Sequence, residues 1–278
     1  MIMKTEEILQ SAPLGKKSTY INTYSPELLF PLPRQPKRDE IKITGDLPFR
    51  GMDIWTGFEL SWLNPKGKPM VALSEVIFPC ESPFLAESKS QKLYLNSFNN
   101  SKFESLDEVR NIIEKDLSKA CQAPVQVKLL RLDEASHSIT TLGGKCLDEL
   151  DIECVSYLPD PSTLSTSGET VEEKVHTNLL KSNCLVTGQP DWGSVEISYR
   201  GKKIDHEGLL KYIVSLRDHN EFHEQCVERI FCDIQRICRP EWLTVYARYT
   251  RRGGLDINPY RTNKPGPLEV SSIRLIRQ

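Results

Sequence analysis

The chain lacks several signatures that would assign it at once. Its eight cysteines (80, 121, 146, 154, 184, 226, 232 and 238) form no C-x-x-C pair, which excludes a zinc knuckle and a thioredoxin-type dithiol. Neither G-x-G-x-x-G nor G-x-x-x-x-G-K-[ST] occurs, so a nucleotide must be held by some other device. No run approaches the roughly 18 to 20 apolar residues of a membrane span. The opening "MIMKTEEILQSAPLGKKSTY" has no apolar h-region of a secretory signal, and scattered thiols without a leader predict a reduced, cytoplasmic protein with no membrane contact. A net charge of -2 supplies no global basic field, so extensive nucleic-acid contact is not indicated.

What is present is ordinary in amount but uneven in placement. The 278 residues suffice for one large domain or two small ones. Arg248, Arg251, Arg252, Arg261, Lys264, Arg274 and Arg277 crowd the last stretch against three acids, a local excess that suits a small polyanion better than a long duplex.

Residues 1–50 are rich in proline and polar groups and read as an irregular arm. In a first module, residues 51–133, two β-rich runs flank the turn Asn64-Pro65-Lys66-Gly67. Two helices follow, "AESKSQKLYLNSFNN" and "SLDEVRNIIEKDLSKA", the second opening at Ser105 with Asp107 and Glu108 in its first turn. Alternating "PVQVKLLRLDE" closes the module as a strand. Residues 134–170 lose periodicity and read as a linker. Residues 171–278 repeat the order: strands "HTNLLKSNCLVT" and "GSVEISYRG", helices "DHEGLLKYIVSLRDH" and "NEFHEQCVERIFCDIQRIC", then "EWLTVYARYT" and "GLDINPY". Val227, Ile230, Phe231, Ile234 and Ile237 fall on one face of the second helix. No residue-level repeat is visible, but paired antiparallel strands followed by paired helices argue α+β.

Four constellations could carry chemistry. Cys184 precedes a Gln-Pro-Asp-Trp turn, so Cys184 and Asp191 straddle a hairpin. Spacing alone leaves two readings, a packed cysteine with a turn-capping aspartate or a thiol nucleophile with a proton donor. In "HNEFHE", His219 and His223 stand at i and i+4 and on a helix would share a face, a spacing able to hold zinc with Cys184 or Cys226. "ESKSQKLY" (Glu87 to Tyr94) is a solvated basic helix face or a phosphate site where Ser, Lys and helix N–H groups converge. "YTRRGGLDIN" lets guanidinium and bare backbone approach a phosphate together.

Taken jointly, E-S-K-S-x-K-L-Y, the Cys…Asp pair, F-H-E and R-R-G-G, in that order, resemble the QueF family. These are NADPH-dependent nitrile reductases acting on 7-cyano-7-deazaguanine (preQ0) in queuosine biosynthesis, here in the long two-module form. The resemblance runs from "LPFRGMDIWT" to the final arginines, and departs where the family prefers an apolar residue and this chain has Gln91. It implies tandem tunnelling-fold (T-fold) modules, antiparallel sheets with paired helices on one face, assembled as a homodimer. It further implies that Cys184 attacks the nitrile to form a thioimide, and that Asp191 is the general acid, which requires burial or a neighbour to keep it protonated. His223 would be a second proton donor, and two NADPH would be consumed per turnover without a metal. Substrate contacts would come from Ala86, Glu87, Ser88, Phe222, His223 and Glu224, and cofactor contacts from Ser88, Lys89, Arg252 and Gly253. Two rivals remain on the residues: a zinc- or thiol-dependent hydrolase of a purine or pterin, and a tRNA- or nucleotide-binding module using the basic end.

Overall fold

The computed structural model describes Pro13 and residues 20–134, 139–268, 270 and 273–278; the first part of the arm, up to residue 19, otherwise lies outside the described residues. The chain forms two compact units. The first is built from residues 1–44, 52–136 and 251–256, the second from residues 45–51, 137–250 and 257–278.

In the first unit β1 (Pro31–Pro33) and α1 (Gln35–Glu40) precede a long hairpin of β2 (Arg50–Leu63) and β3 (Pro69–Pro79). Its turn closes as expected, with Gly67 N–H donating to Asn64 O at 2.8 Å. After β4 (Phe84–Ala86) come α2 (Ser88–Ser97), α3 (Leu106–Cys121) and β5 (Gln126–Leu130). Ser105 caps α3, accepting from Glu108 N at 3.1 Å, which satisfies one of the N–H groups a helix start leaves open. The strands run in the order β2-β3-β5, all antiparallel. Trp55 and Phe78 meet edge to face at 5.2 Å in the core, where Ile113 and Leu117 of α3 are also buried. The segment around α1 is pinned by buried pairs, Arg34 to Asp53 at 2.6 Å and Arg38 to Cys80 O at 2.7 Å.

The second unit opens with short β6 (Ile139–Thr140) and β7 (Lys145–Cys146) and continues with the hairpin β8 (Thr166–Cys184) and β9 (Pro190–Ile204). Then follow α4 (His206–Ser215), β10 (Asn220–Glu221), α5 (His223–Cys238), β11 (Trp242–Tyr249), β12 (Leu255–Thr262) and β13 (Arg274–Leu275). The strand order is β10-β8-β9-β11-β12. Val227, Ile230, Phe231 and Ile234 of α5 are fully buried. Ile237 is only half-buried, and Cys238 takes its place in the seam.

Both units therefore carry a hairpin whose second strand pairs with the strand that follows two helices. The duplication also reaches the residues, where the sequence shows no repeat. Glu87 caps α2 and Asp205 caps α4. Tyr94 donates to Asp116 on the next helix at 2.7 Å, as Tyr212 does to Asp233. Ser97 and Ser215 bond back to the carbonyls of those tyrosines. Cys121 and Cys238 end the long helices, each followed by a left-handed residue, Gln122 and Arg239. These shared residues are few and widely spaced, so alignment by eye passes over them.

Candidate active site

The hairpin register decides the relation of Cys184 to Asp191. Ser182 and Asp191 are direct partners across β8 and β9. Opposed residues in a ladder project to the same side, as do residues i and i+2 of one strand. Asp191 therefore shares a face with Ser182 and Cys184. The reversal itself is made by residues 185–189, closed by Cys184 N to Gln189 O at 2.8 Å and Gly188 N to Cys184 O at 3.0 Å. Asp191 thus lies in the strand and not in a turn, and is buried at 2% exposure. Cys184, at 9%, ends β8 at the rim of the same face.

The F-H-E motif arrives from the opposite side. Glu221 is the parallel partner of Cys184, and Asn183 N–H donates to His219 O at 2.8 Å. Phe222, in extended conformation, is the N-cap residue of α5, so the helix begins at His223. His219 and His223 consequently do not share a helical face, and the i, i+4 zinc reading fails for want of a helix at His219. Among the described residues no group of three or more His, Cys, Asp and Glu is placed to hold a metal. His223 Nε2 lies 3.7 Å from Asp191 Oδ1, and its ring packs edge-on against Tyr249 at 4.1 Å. Glu224 is buried in the first turn of α5, where a carboxylate is favoured by the helix dipole.

Glu87 is buried, and its two oxygens accept from Lys89 N and Ser90 N, each at 2.7 Å. Burial raises its pKa against the pull of those two N–H groups. The start of α2 is thus already occupied by its own carboxylate. Ala86 pairs with Pro31 just before it. Arg252, Gly253, Gly254 and Leu255 form a tight turn, Arg252 N to Leu255 O at 2.9 Å. Both glycines have positive φ, +56° and +70°, as a type I′ turn requires. A Cβ built on Gly253 would stand 3.5 Å from both Cδ and Nζ of Lys92. The fold therefore brings the R-R-G-G turn against the E-S-K-S-x-K-L-Y helix.

With this geometry in place, comparison with known proteins is decisive. A model described as nitrile reductase, 7-cyano-7-deazaguanine-reductase N-term, matches residues 20–129, and one described as QueF-like protein matches residues 190–266. An NADPH-dependent 7-cyano-7-deazaguanine reductase of Legionella pneumophila is 55% identical, covering 98% of this chain and 97% of its own length. Those of Hydrogenovibrio crunogenus and Ralstonia nicotianae are 56% and 58% identical, covering 95% and 91% of this chain and 96% and 94% of their own. The chain belongs to this reductase family. Its tandem modules are the T-fold pair of the long form.

The reductase chain also carries site neighbours that motif reading does not reach. Tyr249 braces His223, and burial holds its hydroxyl protonated well above the usual phenol range. Glu221, at 1% exposure, contacts Arg229 through Nε and Nη2 and His219 Nε2 at 2.9 Å. Extended backbone at Phe222 puts Glu221 and His223 on one side of the chain, a relation hidden in the sequence because "NEFHE" has helical composition.

The basic end is largely committed within its unit. Arg261 pairs with Glu228 at 2.8 Å, Arg248 donates to Gln278 and Tyr246, and Arg277 donates to Asn178 O and Gly193 O. The local excess of positive charge is therefore mostly spent on internal acceptors.

Proposed function

We propose that this chain reduces the nitrile of 7-cyano-7-deazaguanine to the aminomethyl group with two NADPH through a thioimide on Cys184, in queuosine biosynthesis. The observation that carries the reading is the common face of Cys184 and Asp191 fixed by the β8–β9 register. A thiolate is a strong nucleophile near neutral pH and suits the nitrile carbon. As the C–S bond forms, one C–N π bond breaks, and Asp191 gives its proton to the nitrogen. NADPH supplies a hydride in each of two reduction steps. The first reduces the thioimide carbon, and expulsion of the Cys184 thiolate leaves an imine. At that imine His223 gives the nitrogen its proton as the second hydride arrives at carbon.

The donor edge of the heterocycle, ring N–H and exocyclic amine, matches a carboxylate. Glu224 and Glu87 are the candidate carboxylates, Glu224 with Phe222 against the ring face, Glu87 with Ala86 and Ser88 beside it. Lys89, Arg252 and Gly253, with Ser88, are assigned to the cofactor. The fit rests on the side-chain-free backbone of Gly253 packed beside Lys92, which a phosphate can approach closely. A homodimer, working in the cytoplasm without bound metal or nucleic acid, completes the proposal; sedimentation of the purified chain as a monomer would remove the dimer from it.

The test is intact-mass analysis with 7-cyano-7-deazaguanine in the absence of NADPH. The unmodified chain should gain one substrate mass and Cys184→Ala none; an adduct that persists in Cys184→Ala removes this residue from its role. Following NADPH absorbance separates the hydrolase reading, which predicts substrate turnover without oxidation of the cofactor.

A further inference from the structure

The ladder between β11 and β12 runs from Thr244↔Thr262 to Tyr246↔Tyr260 and is not continued to Tyr249. At Tyr249 two side chains stand in for the missing strand partner. Tyr249 N–H donates to Asn258 Oδ1 at 3.2 Å, and Tyr249 O accepts from Gln278 Nε2 at 3.1 Å. Gln278 Nε2 also donates to Asn258 Oδ1 at 2.9 Å. Its Oε1 accepts from Arg248 Nε at 2.8 Å and Leu275 N at 3.2 Å. All four bonding positions of the carboxamide are thus used, in a side chain belonging to a residue 6% exposed. The Tyr249 ring lies over Gly193, where a Cβ would meet it at 3.1 Å, and against His223 at 4.1 Å.

We infer that Gln278 is a positioning residue for His223, acting through Asn258 and Tyr249 on the imidazole that faces Asp191. This rests on the reading of His223 as the proton donor of the second reduction. Nothing in the motif set points to Gln278, which lies far from F-H-E in the chain. The amide is needed specifically: a glutamate of the same shape would turn both donors into acceptors facing Tyr249 O and Asn258 Oδ1.

The experiment compares Gln278→Glu and Gln278→Ala, alone and in a His223→Ala background, in the full chain. Misplacement of a proton donor costs about tenfold to a hundredfold in rate. Turnover should fall by that range while adduct formation at Cys184 stays within about twofold, and the loss should vanish in the His223→Ala background. Equal loss of adduct and turnover, or full additivity with His223→Ala, overturns the inference. The titration of His223, read by NMR without substrate, should move in Gln278→Ala; an unmoved titration also overturns it. That reading needs no activity, so it stands apart from a failure of the proposed reaction, which would show as no adduct and no NADPH oxidation in the unmodified chain.

Discussion

His223 Nε2 and Asp191 Oδ1 stand 3.7 Å apart, beyond hydrogen-bond length but within the reach of a small side-chain adjustment. Catalytic contacts of this kind often tighten only when substrate is bound. In the proposed mechanism the two groups serve different steps, Asp191 the addition of the thiol and His223 the later imine, and this separation gives the first expectation. Asp191→Asn removes the acid while keeping the shape, so adduct formation should slow by about a hundredfold to ten-thousandfold. Stopped-flow measurement of the adduct without NADPH checks it. A near-normal rate means the nitrogen takes its proton from another group.

Gly253 gives an expectation confined to the cofactor. At φ +56° an alanine is strained, by about 1–2 kcal/mol, and its methyl would occupy the backbone opening beside Lys92. Gly253→Ala should therefore raise the KM for NADPH about tenfold or more, taking about 1.4 kcal/mol per decade, with adduct formation at Cys184 unchanged. Steady-state kinetics at saturating substrate, beside the NADPH-free adduct assay, tests the split. A parallel loss in both would place the turn outside cofactor binding.

The parts of this molecule that were legible in the sequence are those written locally. Ser105 announces α3 because a cap and its first turn are neighbours in the chain, and Asn64 to Gly67 announce their hairpin for the same reason. The start of α5 lies three residues later than the sequence predicts, because "NEFHE" has helical composition and only pairing of Asn220 and Glu221 with β8 draws its first residues into a strand. Spacing alone leaves Asp191 open between a turn cap and a proton donor, because Pro-Asp is turn-like locally, whereas register across β8 puts it in the ladder. Tyr249 and Gln278 were invisible for a deeper reason. Their importance lies in hydrogen bonds and ring contacts between residues distant in sequence, and no local pattern encodes those.

Alkaline pH should weaken the fold through its buried thiols. Burial, with the charge of Glu221 adding to it, pushes the Cys226 thiol up to about 12, against about 8.5 for a free cysteine. The folded state holds this proton more tightly than the unfolded chain. Its stabilising contribution is therefore complete below the unfolded value and is lost progressively as pH rises toward the folded one. Cys121 and Cys238, each raised to about 11, act in the same direction. Urea unfolding at about pH 7 and about pH 9.5 should show lower stability at the higher pH and a smaller drop in Cys226→Ala. An identical drop in the variant would mean that Cys226 titrates normally.

Gln91 should be a liability to stability that the chain can lose. It is fully buried on α2 at 0% exposure, and among the described residues neither its Nε2 nor its Oε1 has a hydrogen-bond partner. A buried amide left without partners costs about 1–3 kcal/mol. The repeat between the units supplies the natural comparison. Tyr94 and Tyr212 occupy equivalent places on α2 and α4, and three residues before Tyr212 stands Leu209, itself fully buried. The apolar residue that the family resemblance implies at this point of the motif is thus also the choice of the second unit. Gln91→Leu has nearly the same volume, so it should remove the desolvation cost without overpacking. The urea midpoint should rise, by about 1–2 kcal/mol in free energy, with turnover retained. A lower midpoint would mean that the amide has found partners in solution. A raised midpoint with lost turnover would instead mark Gln91 as a residue kept for function at the expense of the fold.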